Sequence, residues 1–272
     1  MTRRRAAAAI IAVAAAASLH AGSQIVAKNA AVTTISPYAT QIGVDVLKRG
    51  GNAIDAAVAV AFALTVTYPQ AGNISGGGFL VYYEAKTKQV WTLDFREAAP
   101  GASKANMYVQ KDRVSEAARV GPGSAAVPGT LAGLSAMHAR FGTRPWKELI
   151  QPAITLARTG IHVDQQLFDD LQEAQSQRNI DRYASTSALF FPNKRALTPT
   201  STFRQNDLAS TLTRIANNGA RDFYEGDLAK KWIQATRAAG GIIGYRDLRE
   251  YKPIWRSPMQ SSRRGAPANC VI

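Results

Sequence analysis

Apolar and polar positions change period several times along this chain, and each change marks an element. Residues 53–66 (AIDAAVAVAFALTV) are apolar on every side. A helix without a polar face is buried in a larger core or in a membrane. This run is shorter than the roughly 18–20 apolar residues that a span needs, so a core helix is predicted. Asn52 suits its N-cap, and Asp55 is a capping-box-like acid near the positive end of the helix dipole. Upstream, Ala39, Ile42, Val46 and Leu47 form one stripe, with Gln41, Asp45 and Lys48 elsewhere. That is an amphipathic helix on a core, capped by Ser36, opened by Pro37 and stopped at Gly50.

Tyr68-Pro69 closes the buried helix, and a glycine-dominated loop runs from Gly72 to Gly78. The period then shortens to that of strands. Phe79–Glu84 and Val90–Phe95, joined by the polar turn Ala85–Lys88, read as a β-hairpin. The second strand delivers Arg96 to its end, with Glu97 next and Pro100-Gly101 shortly after. A guanidinium beside a glycine loop can hold a carboxylate, because its fork makes two parallel hydrogen bonds with a planar anion. It can equally be a surface arginine paired with Glu97 or Asp94, and spacing alone leaves both readings open.

Further along, helices are predicted over Thr130–Arg140, ending near Gly142, and over Trp146–Arg158, with a break or new start at Pro152. Residues 163–200 are polar and helix-like at first, then loop-like. An amphipathic helix over 204–219 stops at Asn218-Gly219, and a turn and another helix occupy 222–241. A strand begins near Trp255, and residues 23–35 read as strand, polar turn and strand.

Charge and composition narrow the chemistry. The 272 residues carry 33 Lys+Arg against 19 Asp+Glu, a formal net charge of +14. Arg3, Arg4 and Arg5, an Ala-rich apolar run and a small residue at the cut make residues 1–21 a secretory signal peptide, cleaved after Ala21. The product is expected to be periplasmic or secreted. The remaining basic residues are scattered and no nucleic-acid motif appears, so no nucleic-acid partner is expected, and no stable membrane span either. Cys270 is the only cysteine, which leaves no internal disulfide framework. His138 and His162 have no ligand-spaced partner, so neither a metal nor a cofactor is expected. Gly76–Gly78 lead into a strand instead of a helix, which removes the phosphate-loop reading, and Ser75 has Asn73 where a nucleophile elbow needs glycine.

GGNAIDAAVAV, SGGGFLVYYE, LDFREAAPG, VPGT, FGTRPW and PAITLARTG resemble, in order, the signatures of the gamma-glutamyltransferase (glutathione hydrolase) family. The later QNDLA, FYEG and GGIIGYRDLREY segments continue that resemblance, which covers roughly Val26 to Pro258. It implies an α+β fold, the N-terminal-nucleophile hydrolase-like αββα sandwich, with two sheets between helix layers. It also implies a precursor that cuts itself, so that a new N-terminal Thr of the small subunit is the nucleophile. By the same resemblance Arg96 binds the α-carboxylate of the γ-glutamyl group.

The division expected is a signal peptide at 1–21, a large-subunit portion at 22–258 and an aberrant or truncated tail at 259–272. On this reading the fold is incomplete. The catalytic Thr, the oxyanion-hole groups and the acid that binds the α-amino group lie beyond this sequence, so no catalytic residue is assigned within it. The substrate expected is glutathione or a similar γ-glutamyl donor, and the partner expected is the missing small subunit. The alternatives are a cephalosporin-acylase-like amidase of the same superfamily and a non-catalytic exported fragment that binds amino-acid carboxylates.

Overall fold

The structure, a computed structural model, describes residues 26–111, 113–261 and 270–271. The signal segment expected at 1–21 lies outside them, as do residues 262–269 of the tail. Residues 26–32 belong to a unit separate from the one formed by residues 33–272, and they carry no helix or strand.

Two helices open the larger unit. In α1 (Pro37–Lys48) the Ser36 hydroxyl accepts from the Ala39 N–H at 3.4 Å, and Gly50 turns the chain at φ +84°. A β-carbon disfavours that left-handed conformation, so glycine fits the reversal. In α2 (Ala53–Thr67) the Asn52 side chain accepts from the Asp55 N–H while the Asp55 carboxylate accepts from the Asn52 N–H, both at 2.9 Å. Ile54, Val58, Ala59, Phe62, Ala63 and Val66 of α2 are all buried, as an all-apolar helix requires.

The hairpin follows as β1 (Phe79–Glu84) and β2 (Gln89–Asp94), antiparallel from Phe79 opposite Asp94 to Glu84 opposite Gln89. The helices α3 (Thr130–Phe141), α4 (Trp146–Thr159), α5 (Gln165–Arg178) and α6 (Ala184–Phe190) come next. After them run α7 (Asn206–Asn218), α8 (Arg221–Glu225), α9 (Asp227–Ala238) and α10 (Tyr245–Glu250). The strand β3 (Ile254–Arg256) then pairs antiparallel with β2, giving the order β1-β2-β3. Helix α4 lies between α2 and α7, with Leu149, Ile150, Ala153, Ile154 and Ala157 buried. The sheet's inner face brings Tyr82, Trp91 and Trp255 around Phe141, at 4.9, 5.7 and 5.9 Å between ring centroids. Its outer face carries Phe79, Val81, Tyr83 and Ile254, each more than half exposed.

Two expectations change. The break at Pro152 is absent, and α4 runs through it unbroken. Burial of the five apolar side chains on α4 outweighs the one hydrogen bond that proline removes. The strands expected over 23–35 are not formed in the described part, 26–35. No neighbouring strand among the described residues supplies a ladder there, and Val26 and Ile35 stay exposed. In the tail, Gln260–Ser261 and Cys270–Val271 pair as a two-residue antiparallel ladder.

Candidate functional site

The site begins where β2 ends. Phe95 and Gly78 exchange backbone hydrogen bonds of 3.0 and 3.3 Å, which adds a rung between the glycine loop and the exit of β2. Ala98 and Val127 make a second rung, with bonds of 3.1 and 2.8 Å. Arg96 and Glu97 stand between the two. The Arg96 N–H donates to the Asp94 carboxylate at 3.0 Å, and the Arg96 carbonyl accepts from the Tyr251 hydroxyl at 2.7 Å.

The glycine loop is fixed from the other side by α3. The first N–H groups of a helix have no intrahelical acceptor. Here the Gly76 carbonyl accepts from Gly129 and Thr130, at 2.6 and 2.9 Å. A β-carbon at Gly77 would stand 2.7 Å from the Phe95 carbonyl oxygen, the Glu97 nitrogen and the Glu97 carboxylate alike. One at Gly129 would overlap the Phe95 carbonyl and the Tyr251 hydroxyl. Close backbone approach, and not phosphate binding, is therefore what glycine supplies in this loop.

Arg96 is the one sequence-predicted site residue, and it lies at this junction. Its side chain is 64% exposed, with Nε 3.2 Å from a Glu97 carboxylate oxygen and Cζ 5.9 Å from the Phe79 ring centre. The expected contact with Glu97 thus forms, whereas Asp94 pairs with Arg256, Nη2 to Oδ2 at 2.7 Å. The Arg96 N–H first, and the Arg256 guanidinium second, hold the Asp94 carboxyl below its ordinary range. Apart from that ion pair with Glu97 the Arg96 guanidinium makes no hydrogen bond among the described residues, and its exposed side is open to a planar anion.

Two tyrosines that sequence reasoning did not single out complete the frame. Tyr251 stacks on Tyr224, with ring centroids 6.0 Å apart and planes at 13°. The Tyr224 hydroxyl donates to the Pro128 carbonyl at 3.0 Å and accepts from the Ala132 N–H at 3.1 Å. Burial, then the charges of Asp94 and Glu97, push the Tyr251 hydroxyl up to about 12, so at neutral pH it is a donor. Burial also raises Tyr224. Both fall in the FYEG and GGIIGYRDLREY segments, but nothing local gives their role, because their partners are distant in sequence.

The histidines are not brought together. His138 Nε2 lies 2.8 Å from the Arg144 carbonyl oxygen with its ring against Trp146, and His162 sits in a two-residue ladder opposite Thr202. Among the described residues no group of three His, Cys, Asp or Glu could hold a metal ion. Among them, too, no helix is long and apolar enough to cross a membrane. A groove of about 460 Å³ is lined by Ile42, Arg49, Glu148 and Leu156 and belongs to α1 and α4, not to Arg96. The candidate site is an open rim.

The architecture is shared with solved structures. The chain matches the crystal structure of Helicobacter pylori gamma-glutamyltranspeptidase with a TM-score of 0.86 at 39% identity, over 92% of this chain and 71% of that one. It matches the cephalosporin acylase of Bacillus halodurans with a TM-score of 0.75 at 28% identity, over 90% of this chain and 47% of that one. The class is thus α+β, with the N-terminal-nucleophile hydrolase fold. Sequence narrows it further. The glutathione hydrolase proenzyme of Pseudomonas sp. (strain A14) is 42% identical over 252 residues, 91% of this chain and 44% of that protein. The Gamma-glutamyltranspeptidase family model matches residues 39–267, running past Pro258. The chain belongs to the gamma-glutamyltranspeptidase family. It spans less than half the length of that curated relative.

Proposed function

We propose that the chain is the large-subunit portion of an exported gamma-glutamyltransferase, which moves γ-glutamyl groups from glutathione or similar donors to water or amino acids. Arg96 grips the α-carboxylate of the γ-glutamyl group. The observation that carries this reading is the exposed Arg96 guanidinium, met at Nε by Glu97, at the rim of a glycine loop and on a backbone fixed at both its N–H and its C=O. The exposed apolar side chains on the outer sheet face support a second segment that covers it.

The chemistry requires that segment. The hydroxyl of an N-terminal Thr adds to the γ-amide carbonyl while its own α-amine takes the proton. Backbone N–H groups stabilise the oxyanion, the amine leaves with the proton, and water or an acceptor amine cleaves the resulting ester. Arg96 takes no part in bond breaking and places the donor.

The test substitutes Arg96 in the complete enzyme, this chain continued by the length its relatives carry. Truncating one partner of a desolvated charge pair costs about 2–5 kcal/mol, against roughly 0–1 kcal/mol for an exposed pair. Arg96→Ala should therefore lower kcat/KM on a γ-glutamyl anilide by more than about tenfold. Arg96→Lys should recover little, since an ammonium keeps the charge and loses the fork. Self-cleavage should survive both. Unaltered turnover by Arg96→Ala would return Arg96 to the role of a surface residue. Preferred turnover of an amide whose acyl group lacks an α-carboxylate would favour the acylase-like reading. Export is checked by mass: a mature chain that begins near Gly22 supports it, and an intact Met1 on a cytosolic product opposes it.

A further inference from the structure

Tyr251 lies in the short connection between α10 and β3, and its hydroxyl is spent on a single carbonyl, that of Arg96. The two rungs that flank Arg96 belong to Phe95 and Ala98, so neither fixes the peptide between Arg96 and Glu97. The Arg96 N–H is held by a neighbour on its own strand exit, Asp94. Without Tyr251 that peptide has no described partner for its carbonyl, and rotation of the peptide swings the long side chain that starts from it. Tyr251 itself is firmly seated. Its ring stacks on Tyr224, and Tyr224 is tied by its hydroxyl to Pro128 and Ala132 at the start of α3, the helix end that also holds Gly76. One frame thus places the glycine loop and the arginine together.

We propose that Tyr251 is the positioning residue of the Arg96 site: its hydroxyl fixes the Arg96 peptide, and so sets how tightly the guanidinium holds the substrate's carboxylate, without touching the reacting atoms. This rests on the carboxylate-binding role proposed for Arg96. The phenol stays protonated across the working pH range, because burial and the nearby carboxylates raise it. Its donor role is therefore constant, and the effect on affinity carries no pH dependence of its own.

The experiment uses the complete enzyme and a γ-glutamyl anilide. Tyr251→Phe keeps the ring on Tyr224 and removes only the donor. KM should rise about five- to tenfold, the measure of one hydrogen bond, with kcat within about twofold. In an Arg96→Lys background the same change should add little, because the geometry it protects is already lost. Tyr224→Phe is the comparison: it loosens the seat of Tyr251 but leaves the donor to Arg96 in place, and should lower Tm while raising KM by clearly less than Tyr251→Phe does. An inactive parent enzyme would sink the proposed function. An active parent whose KM is indifferent to Tyr251→Phe would overturn the positioning role alone. So would an equal KM rise in Tyr224→Phe, a fall in kcat at constant KM, or a Tyr251→Phe protein that does not fold, each of which would make Tyr251 a packing residue.

Discussion

At Asp55 one buried carboxylate accepts from the Asn52 N–H at 2.9 Å, the Thr143 N–H at 2.9 Å, the Thr143 hydroxyl at 2.5 Å and the Arg144 N–H at 3.2 Å. The sequence pattern marks the first of these, since a capping box is local. The others come from the loop after α3 and have no local signature. Burial alone would raise the carboxyl, but the Thr143 hydroxyl and the three N–H groups outweigh it and hold the group below its ordinary value of 3.8. A depressed carboxylate stabilises the fold fully above its unfolded pKa and loses that contribution as pH falls through the lower, folded value. Asp55→Ala should cost about 3 kcal/mol or more in urea unfolding at neutral pH, because it strands several buried donors. Asp55→Asn should also destabilise. Its deficit relative to the parent should shrink only below about pH 4, where the parent's carboxylate begins to protonate. A deficit that stays constant into acid would mean that charge has no part in this joint.

Among the elements, α4 offers the clearest test of packing against backbone. Pro152 cannot donate to the Glu148 carbonyl, yet the helix continues because its buried stripe is held between α2 and α7. Pro152→Ala restores that donor and should raise stability by about 1–3 kcal/mol, read as an upward shift in Tm. A loss would show that the proline fits a strained turn. A second joint links α3 to the sheet, where Arg140 lies 3.8 Å over the Trp91 ring and 4.7 Å over Trp255. Arg140→Ala should cost about 1 kcal/mol and alter tryptophan emission, as an exposed cation–π contact predicts. Helix ends and the hairpin were legible because caps, left-handed glycines and period-two runs act within a few residues, as at Ser36, Gly50 and Phe79–Glu84. Arg96 was legible only as one of two readings, a carboxylate holder or a surface arginine paired with Glu97 or Asp94, since both acids lie within two residues and only the fold gives Asp94 to Arg256. Tyr251 closes the GGIIGYRDLREY segment, yet its role was illegible because a tyrosine after a short helix looks the same whatever carbonyl it meets.

At the scale of the whole molecule the outer sheet face carries the exposed apolar side chains that the proposed second segment would cover. Phe79, Val81, Tyr83 and Ile254 are 65, 54, 59 and 51% exposed on the two strands that flank β2. Expressed by itself the chain should bind a hydrophobic dye strongly, and the complete enzyme should not. A sharp cooperative melt of a dye-silent monomer would count against a covering segment. The same sheet has a history written into its connectivity. β1 and β2 are neighbours in sequence, but β3 reaches β2 from 162 residues downstream through Arg256 and Asp94, and Tyr251 reaches Arg96 across 155. Where the chain emerges N-terminus first, the hairpin and the arginine come out early and wait for every later helix before their third strand and their tyrosine arrive. The rim around Arg96 is therefore among the last parts of this chain to be assembled. Until the third strand arrives, the middle strand of its sheet is an edge.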